Sequence, residues 1–164
     1  MRLDRAWIER HIPHHGNMCL LDEVLSWDAD RISCLSRSHR APGNPLRARG
    51  RLGVACGIEY AAQAMAVHGA LAGGAQDAAA ADCPAPARGP IPGTPAAGFL
   101  AALRGVEFHV LRLDDVPLDL ICDAVRVAGD RGTALYEFEL RSAATRLLTG
   151  RATVVLDAKG RMHP

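Results

Sequence analysis

The sequence predicts an α+β domain in which an antiparallel sheet wraps around one long central helix. Residues 55–71 are almost wholly small or apolar and rich in helix-forming alanine, leucine and methionine, a composition typical of a buried helix. Short strand-like runs, separated by turn residues, stand on both sides of this segment. A single helix among such strands indicates a layer of helix packed on a layer of antiparallel sheet.

The chain before the central helix reads as a short helix followed by two strands. Residues 5–11 are predicted to form a short helix or a turn, which ends at Ile12-Pro13 because proline restricts the conformation of the residue before it. Residues 18–27 and 31–37 are predicted strands. Residues 41–45 contain two prolines and a glycine, so we expect a loop that leads into the helix.

The chain after the central helix changes composition and then returns to strands. Residues 73–95 are rich in alanine, proline and glycine, and we expect a mobile loop inside one domain that spans residues 1–164. Residues 129–132 read as a hairpin turn. The predicted strands of this half are 98–108, 118–127, 134–140 and 151–156.

Composition narrows the classes of function. The chain has 164 residues, a net charge of +1 and only 4% aromatic residues, which argues against a basic, aromatic nucleic-acid surface. No apolar stretch reaches the length of a membrane span, and the N-terminus lacks the apolar core of a signal peptide, so we expect a cytoplasmic protein. The five cysteines are scattered, which predicts buried thiols rather than disulfides or a metal site.

Glu59 is the unusual residue of the central helix. A buried carboxylate is costly unless it is paired or protonated, so Glu59 is a candidate proton donor with a raised pKa. Gln63 lies one helical turn later on the same face. The alternative interpretation is that Glu59 is a first-turn acid that interacts with the helix dipole. The pattern alone leaves both interpretations open.

Three motifs in order resemble a known family. They are Ile12-Pro13-His14 with Asp22 eight residues after the histidine, Glu59-Tyr60-Ala61-Ala62-Gln63, and the strand at 98–108. Together they resemble the hotdog 3-hydroxyacyl-acyl-carrier-protein dehydratases, and in particular the dehydratase-like branch of aryl-polyene and pigment-lipid gene clusters. The resemblance covers about residues 8 to 157.

The resemblance implies a hotdog fold and a hydro-lyase. The implied reaction converts 3-hydroxyacyl-carrier-protein thioesters to trans-2-enoyl thioesters in fatty-acid-like or polyene lipid biosynthesis. It implies no cofactor, because the substrate is carried on the phosphopantetheine of an acyl carrier protein. It also implies a homodimer, or a heterodimer with another hotdog protein, in which the two subunits can build the site together.

The resemblance also assigns roles to individual residues. Glu59 becomes the catalytic acid, and His14, which matches the Pro-His motif, becomes the favoured base. The better-known fatty-acid dehydratases carry their histidine in a Gly-His-Phe-Pro-Gly loop that this sequence lacks, so His39 remains an alternative base. Gln63 is predicted to lie in the substrate-binding site, where it would orient Glu59 or bond a water.

Four further residues are predicted to bind substrate. Gly57 would let an acyl chain approach the backbone, and free amides of the first helical turn would polarise the thioester carbonyl. Arg47 and Arg51 would contact the phosphopantetheine phosphate or an acidic carrier protein, although a solvated loop is the alternative. Asn44 before Pro45 is either a substrate contact or a turn former.

Two rival functions stay open from the sequence. A hotdog thioesterase needs only a carboxylate that acts on water, which Glu59 could supply without a histidine. A non-catalytic acyl-binding partner of an active hotdog paralogue is the second rival, because the known histidine loop is missing.

Overall fold

The computed structural model describes residues 3–80, 98–130 and 132–156. A six-stranded sheet has the strand order β1-β2-β4-β5-β6-β3, and each neighbouring pair is antiparallel. One long helix packs against this sheet, so the predicted α+β hotdog class is confirmed. The elements in chain order are α1 (Arg5–His11), β1 (Glu23–Trp27), β2 (Arg31–Ser36), α2 (Gly57–Ala80), β3 (Gly98–Phe108), β4 (Leu120–Gly129), β5 (Thr133–Ser142) and β6 (Thr145–Leu156).

The core lies between α2 and one face of the sheet. Strand β5 alternates as predicted for a half-buried strand, with Tyr136, Phe138 and Leu140 facing the helix. The helix starts very close to the sheet, because a Cβ added to Gly57 would lie 2.7 Å from Leu148 Cδ2 and 2.8 Å from Leu140 Cδ2. Glycine at this position therefore sets the separation between the two layers.

The first predicted strand is shorter than expected. Residues 18–27 were predicted to be extended throughout, but Gly16–Met18 is a 3-10 turn and β1 begins only at Glu23. The apolar residues 19–21 between them are fully buried. Side chains bond the backbone of Leu20 there, so this segment enters the core without a strand partner.

The central helix is longer than predicted. It begins with a 3-10 turn at Val54–Cys56 and continues to Ala80, so residues 73–80 are helical rather than part of a loop. Gly73-Gly74 led to the early predicted end, yet a glycine inside a helix costs only about 1 kcal/mol and the surrounding alanines favour the helix. The remainder of the predicted mobile loop, residues 81–95, lies outside the described residues.

Strand β6 begins at Thr145 instead of residue 151. The β5–β6 turn was missed because it contains Ala143-Ala144 and no glycine. Ala143 adopts a φ of 49°, a left-handed conformation that alanine rarely takes. The predicted hairpin at 129–132 does join β4 to β5, where the Asp130 amide donates to the Thr133 carbonyl at 2.8 Å.

The two edges of the sheet differ in exposed apolar surface. Strand β3 forms one edge, and Phe99 and Phe108 on it are 55% and 50% exposed. Strand β1 forms the opposite edge and carries a smaller exposed group, Leu25 and Trp27. Within the described residues, no helix is both long and apolar enough to cross a membrane.

Candidate active site

His14 and Glu59 meet in the folded chain. His14 Nε2 lies 3.0 Å from Glu59 Oε1, and the two side chains are 26% and 33% exposed. Glu59 sits in the first turn of α2, and His14 follows the end of α1. Both residues belong to the same subunit, so their contact forms without an interface. A half-open pair of this kind is accessible to a ligand.

The position of His14 follows from the local structure of the N-terminal segment. Asp4 caps α1 by accepting from the Trp7 amide at 3.0 Å, and buried Trp7 and Ile8 fix the helix on the core. Ile12 is 1% exposed and anchors the chain where the helix ends. The exposed Pro13 then directs His14 across the start of α2.

Gln63 links the acid to the segment that follows His14. Its Nε2 donates to Glu59 Oε1 at 3.0 Å and to the Met18 carbonyl at 2.8 Å, while its Oε1 accepts from the Leu20 amide at 2.8 Å. The two backbone partners allow only one orientation of the side-chain amide, because Leu20 offers a donor and Met18 an acceptor. Gln63 must therefore donate to Glu59.

The electrostatics correct one expectation about Glu59. Its pKa is lowered, because the hydrogen bond from His14 outweighs the effect of burial and the bond from Gln63 acts in the same direction. The predicted raised pKa is wrong for the resting protein. Burial is incomplete and both donors favour the ionised form, so Glu59 rests as a carboxylate. Within the described residues, no group donates to its second oxygen, Oε2.

The other ring nitrogen of His14 has an unusual environment. Nδ1 is buried, and none of the described residues bonds it. Nε2 is therefore the ring nitrogen that can exchange a proton with Glu59, because it is the one in contact with the carboxylate.

His39 is placed differently from the alternative base that the sequence suggested. It is 0% exposed, and its Nε2 lies 3.1 Å from the Val116 carbonyl. Burial lowers its pKa. A ring enclosed in this way cannot reach a substrate at the surface, so the structure favours His14 for physical reasons of access.

The expectations for Gly57 and the first-turn amides also need correction. The space beside Gly57 is filled by leucine side chains of β5 and β6, so its smallness serves packing and leaves no room for an acyl chain. The Cys56 amide donates to Gly53, and the Gly57 amide donates back into the 3-10 turn at Val54–Cys56. These two amides are thus not available to a thioester carbonyl.

The two loop arginines that were predicted to bind substrate differ in their contacts. Arg47 donates to the carbonyls of Ala41, Gly50 and His39 and pairs with Asp114 at 3.5 Å, so it holds the loop together rather than facing a phosphate. Arg51 is exposed.

Asn44 is an internal residue of the same loop. It is 5% exposed, its Nδ2 donates to Tyr60 Oη and the Ser38 carbonyl, and its Oδ1 accepts from the Leu46 amide. These contacts support the alternative interpretation that Asn44 forms a turn, and they also connect the loop to the central helix. All the polar atoms of its side chain are occupied, so direct substrate binding by Asn44 is not supported.

Two residues near the site were not singled out from the sequence. Ser38 and Tyr60 share a hydrogen bond of 2.9 Å that connects the end of β2 to α2. The position of Tyr60 next to Glu59 in the helix motif could have indicated a role at the site. A tyrosine on an apolar helix, however, is usually interpreted as a core residue. Within the described ranges, no group of three or more His, Cys, Asp or Glu side chains could hold a metal ion.

Comparison with known proteins assigns the family. Residues 6–161 match the ApeP-like family, described as ApeP dehydratase. The chain belongs to the ApeP-like dehydratase family. The resemblance to the dehydratase-like branch of aryl-polyene clusters is thereby confirmed, and the hotdog dehydratase function predicted from it stands, with a hydro-lyase as its reaction class. No protein of curated function matches the sequence.

Solved structures share the fold of this ApeP-like chain. The dehydratase heterocomplex ApeI:P from Xenorhabdus doucetiae aligns with a TM-score of 0.74 and 21% identity, covering 93% of this chain and 91% of that one. A hypothetical thioesterase with coenzyme A from Streptococcus pneumoniae aligns at 0.53 with 10% identity, covering 82% and 84%. A thioesterase from Haemophilus influenzae aligns at 0.54 with 9% identity, covering 85% and 82%.

Proposed function

We propose that this ApeP-like chain dehydrates 3-hydroxyacyl thioesters carried on the phosphopantetheine of an acyl carrier protein, and that His14 and Glu59 perform the reaction. The observation that supports the proposal is the 3.0 Å contact between His14 Nε2 and Glu59 Oε1 at a half-open position. The products are the trans-2-enoyl thioester and water.

The chemistry needs one base and one acid. The C2–H bond breaks, its electron pair forms the C2=C3 double bond, and the C3–O bond breaks as the hydroxyl leaves with a proton as water. A pair that shares one proton meets this requirement, because one member accepts the C2 proton while the other gives up the shared proton. The proton count of the pair is the same before and after each turnover.

The lowered pKa of Glu59 is compatible with its role as the acid. The lowered pKa makes Glu59 a carboxylate at rest, and the proposed cycle starts with a proton on each ring nitrogen of His14. Substrate that covers the pair excludes water, and a lower dielectric favours the neutral pair over two charges. The proton then moves across the hydrogen bond to Glu59, which leaves neutral His14 as the base and protonated Glu59 as the donor to the hydroxyl.

A second hotdog subunit is the partner that the surface supports. Strand β3 is an edge strand of 11 residues whose exposed apolar side chains include Phe99, Leu100 and Leu103. Such an edge is prone to pairing with another chain unless it is covered. The similar ApeI:P structure is a dehydratase heterocomplex. We therefore propose a heterodimer through β3, with exposed Arg51 available to an acidic carrier protein.

The function is tested by incubating the protein with a 3-hydroxyacyl-carrier-protein and following the mass of the carrier, with and without the associating hotdog subunit. Loss of water from the acyl group is expected for the wild type, and His14→Ala is expected to be strongly impaired. His39→Phe replaces a buried ring away from the site with a ring of similar size, and it is expected to react near the wild-type rate.

Two other results would contradict the proposal. Release of the free carrier thiol together with a free acid indicates a thioesterase. Full dehydration by the complex when both His14 and Glu59 of this chain are replaced indicates that this chain is the non-catalytic partner.

A further inference from the structure

Leu20 is held at both of its backbone groups by side chains. Its amide donates to Gln63 Oε1 at 2.8 Å, and its carbonyl accepts from Ser36 Oγ at 2.5 Å and Ser38 Oγ at 2.9 Å. Leu20 is fully buried and lies outside every strand. Three side chains from β2, the turn after it and α2 thus fix a segment that a sheet would normally fix with backbone bonds.

The donor and the acceptor can be assigned in each hydrogen bond that connects Asn44 through Tyr60 to Ser38. Asn44 Oδ1 accepts from the Leu46 amide, so its Nδ2 must face Tyr60 Oη, at 2.9 Å, as a donor. The Tyr60 hydroxyl proton is then free to donate to Ser38 Oγ at 2.9 Å. Ser38 in turn donates to the Leu20 carbonyl.

On the other side of Leu20, hydrogen bonds lead to the Glu59 carboxylate. The Leu20 amide donates to Gln63, and Gln63 donates to Glu59 Oε1 at 3.0 Å. The connected groups run from Asn44 through Tyr60, Ser38, Leu20 and Gln63 to the carboxylate. The Leu20 carbonyl and amide belong to different peptide groups, so the connection across Leu20 is positional: loosening an early member lets the Leu20 backbone shift and weakens its hold on Gln63.

We propose that Ser38, Tyr60 and Asn44 are positioning residues, which fix Leu20 and thereby aim the Gln63 side-chain amide at Glu59. This inference rests on the proposed function for its effect on rate, but its effect on Glu59 is independent of any activity. The three residues touch neither His14 nor Glu59 through these hydrogen bonds. They act through the segment that carries the Met18 and Leu20 backbone partners of Gln63.

The test is the titration of Glu59 in protein with labelled glutamate carboxyl groups, followed by NMR in the wild type, Tyr60→Phe and Ser38→Ala. Glu59→Gln identifies the resonance. Donation by Gln63 lowers the pKa of Glu59, so both variants are expected to raise it. The turnover number is expected to fall about tenfold with little change in KM, because small misplacements of catalytic groups act on the transition state.

Matched controls separate positioning from loss of stability. Tyr136→Phe removes a buried hydroxyl that bonds His68, and Ser142→Ala removes a buried hydroxyl that bonds the Asp119 carbonyl. These variants are expected to lower the melting temperature as much as their counterparts and to leave the Glu59 titration unchanged. Ser38→Thr keeps the hydroxyl and is expected to restore the wild-type titration.

An unchanged Glu59 titration in folded Tyr60→Phe and Ser38→Ala overturns the inference, as does an equal shift in the two controls. If Tyr60→Phe does not fold, Ser38→Ala decides alone, since this half-buried residue loses only one hydroxyl. Failure of the proposed function gives a different result. The wild type and all variants then lack dehydration activity, while the Glu59 titration still tests the role of the positioning residues.

Discussion

Glu59 Oε1 receives both donors of the site, His14 Nε2 and Gln63 Nε2, each at 3.0 Å. This arrangement stabilises the carboxylate and leaves Oε2 without a donor among the described residues. The sequence motif identified Glu59, Gln63 and His14, because their identities and spacing are local properties. It could not give the resting charge of Glu59, which depends on how close a histidine 45 positions earlier comes in the fold.

The shared proton predicts a bell-shaped dependence of kcat/KM on pH. At low pH both members are protonated and no base remains, and at high pH the shared proton is lost and no acid remains. Because the pKa of Glu59 is lowered from 4.5, the acid limb is expected below that value. Rates measured across pH with a carrier-bound substrate check this, and an acid limb clearly above 4.5 contradicts it.

Glu59 also predicts a pH-dependent contribution to stability. A group whose pKa is depressed by folding stabilises the protein above its unfolded value, and the contribution is lost as pH falls through the folded value. Glu59→Gln is therefore expected to lower the melting temperature at neutral pH. The difference from the wild type should shrink below about pH 4.5, the ordinary value. Melting curves at several pH values test this, and a difference that grows on acidification contradicts it.

At the scale of elements, the contact between the start of α2 and the sheet explains why glycine stands at position 57. Gly57→Ala is expected to destabilise the fold by about 1–3 kcal/mol, because the added methyl group overlaps Leu148 and Leu140. Gly69→Ala lies in the same helix where a Cβ meets nothing within 4 Å, and it is expected to stabilise by up to about 1 kcal/mol. Chemical denaturation measures both, and equal effects of the two changes would refute this account.

Element boundaries followed from the sequence wherever local chemistry decides them. Pro13 marks the end of α1, and the hairpin at 129–132 contains the glycines and aspartate that such turns need. The predictions failed where tertiary contacts decide. Residues 18–22 look like a strand, but Gln63, Ser36 and Ser38 take the backbone bonds of Leu20 that a neighbouring strand would otherwise take.

At the scale of the whole molecule, the exposed apolar edge β3 predicts association. Phe99→Lys is expected to weaken binding of a second hotdog subunit about tenfold or more, because a charge replaces a large apolar contact. Leu25→Lys, on the opposite edge strand and similarly exposed at 47%, is the matched control. Light scattering on size-exclusion fractions measures the assembly, and equal loss with both variants rules out β3 as the specific edge.

The central claim is that the Glu59 carboxyl group of this chain takes part in dehydration. The most direct measurement is the rate of water loss from a 3-hydroxyacyl-carrier-protein, by mass, for the complex containing Glu59→Gln and for the complex containing Glu139→Gln, an acid that pairs with Arg146 on the sheet. We predict a loss of about 100-fold or more for Glu59→Gln and none for Glu139→Gln. A wild-type rate with Glu59→Gln in a folded, assembled protein contradicts the account.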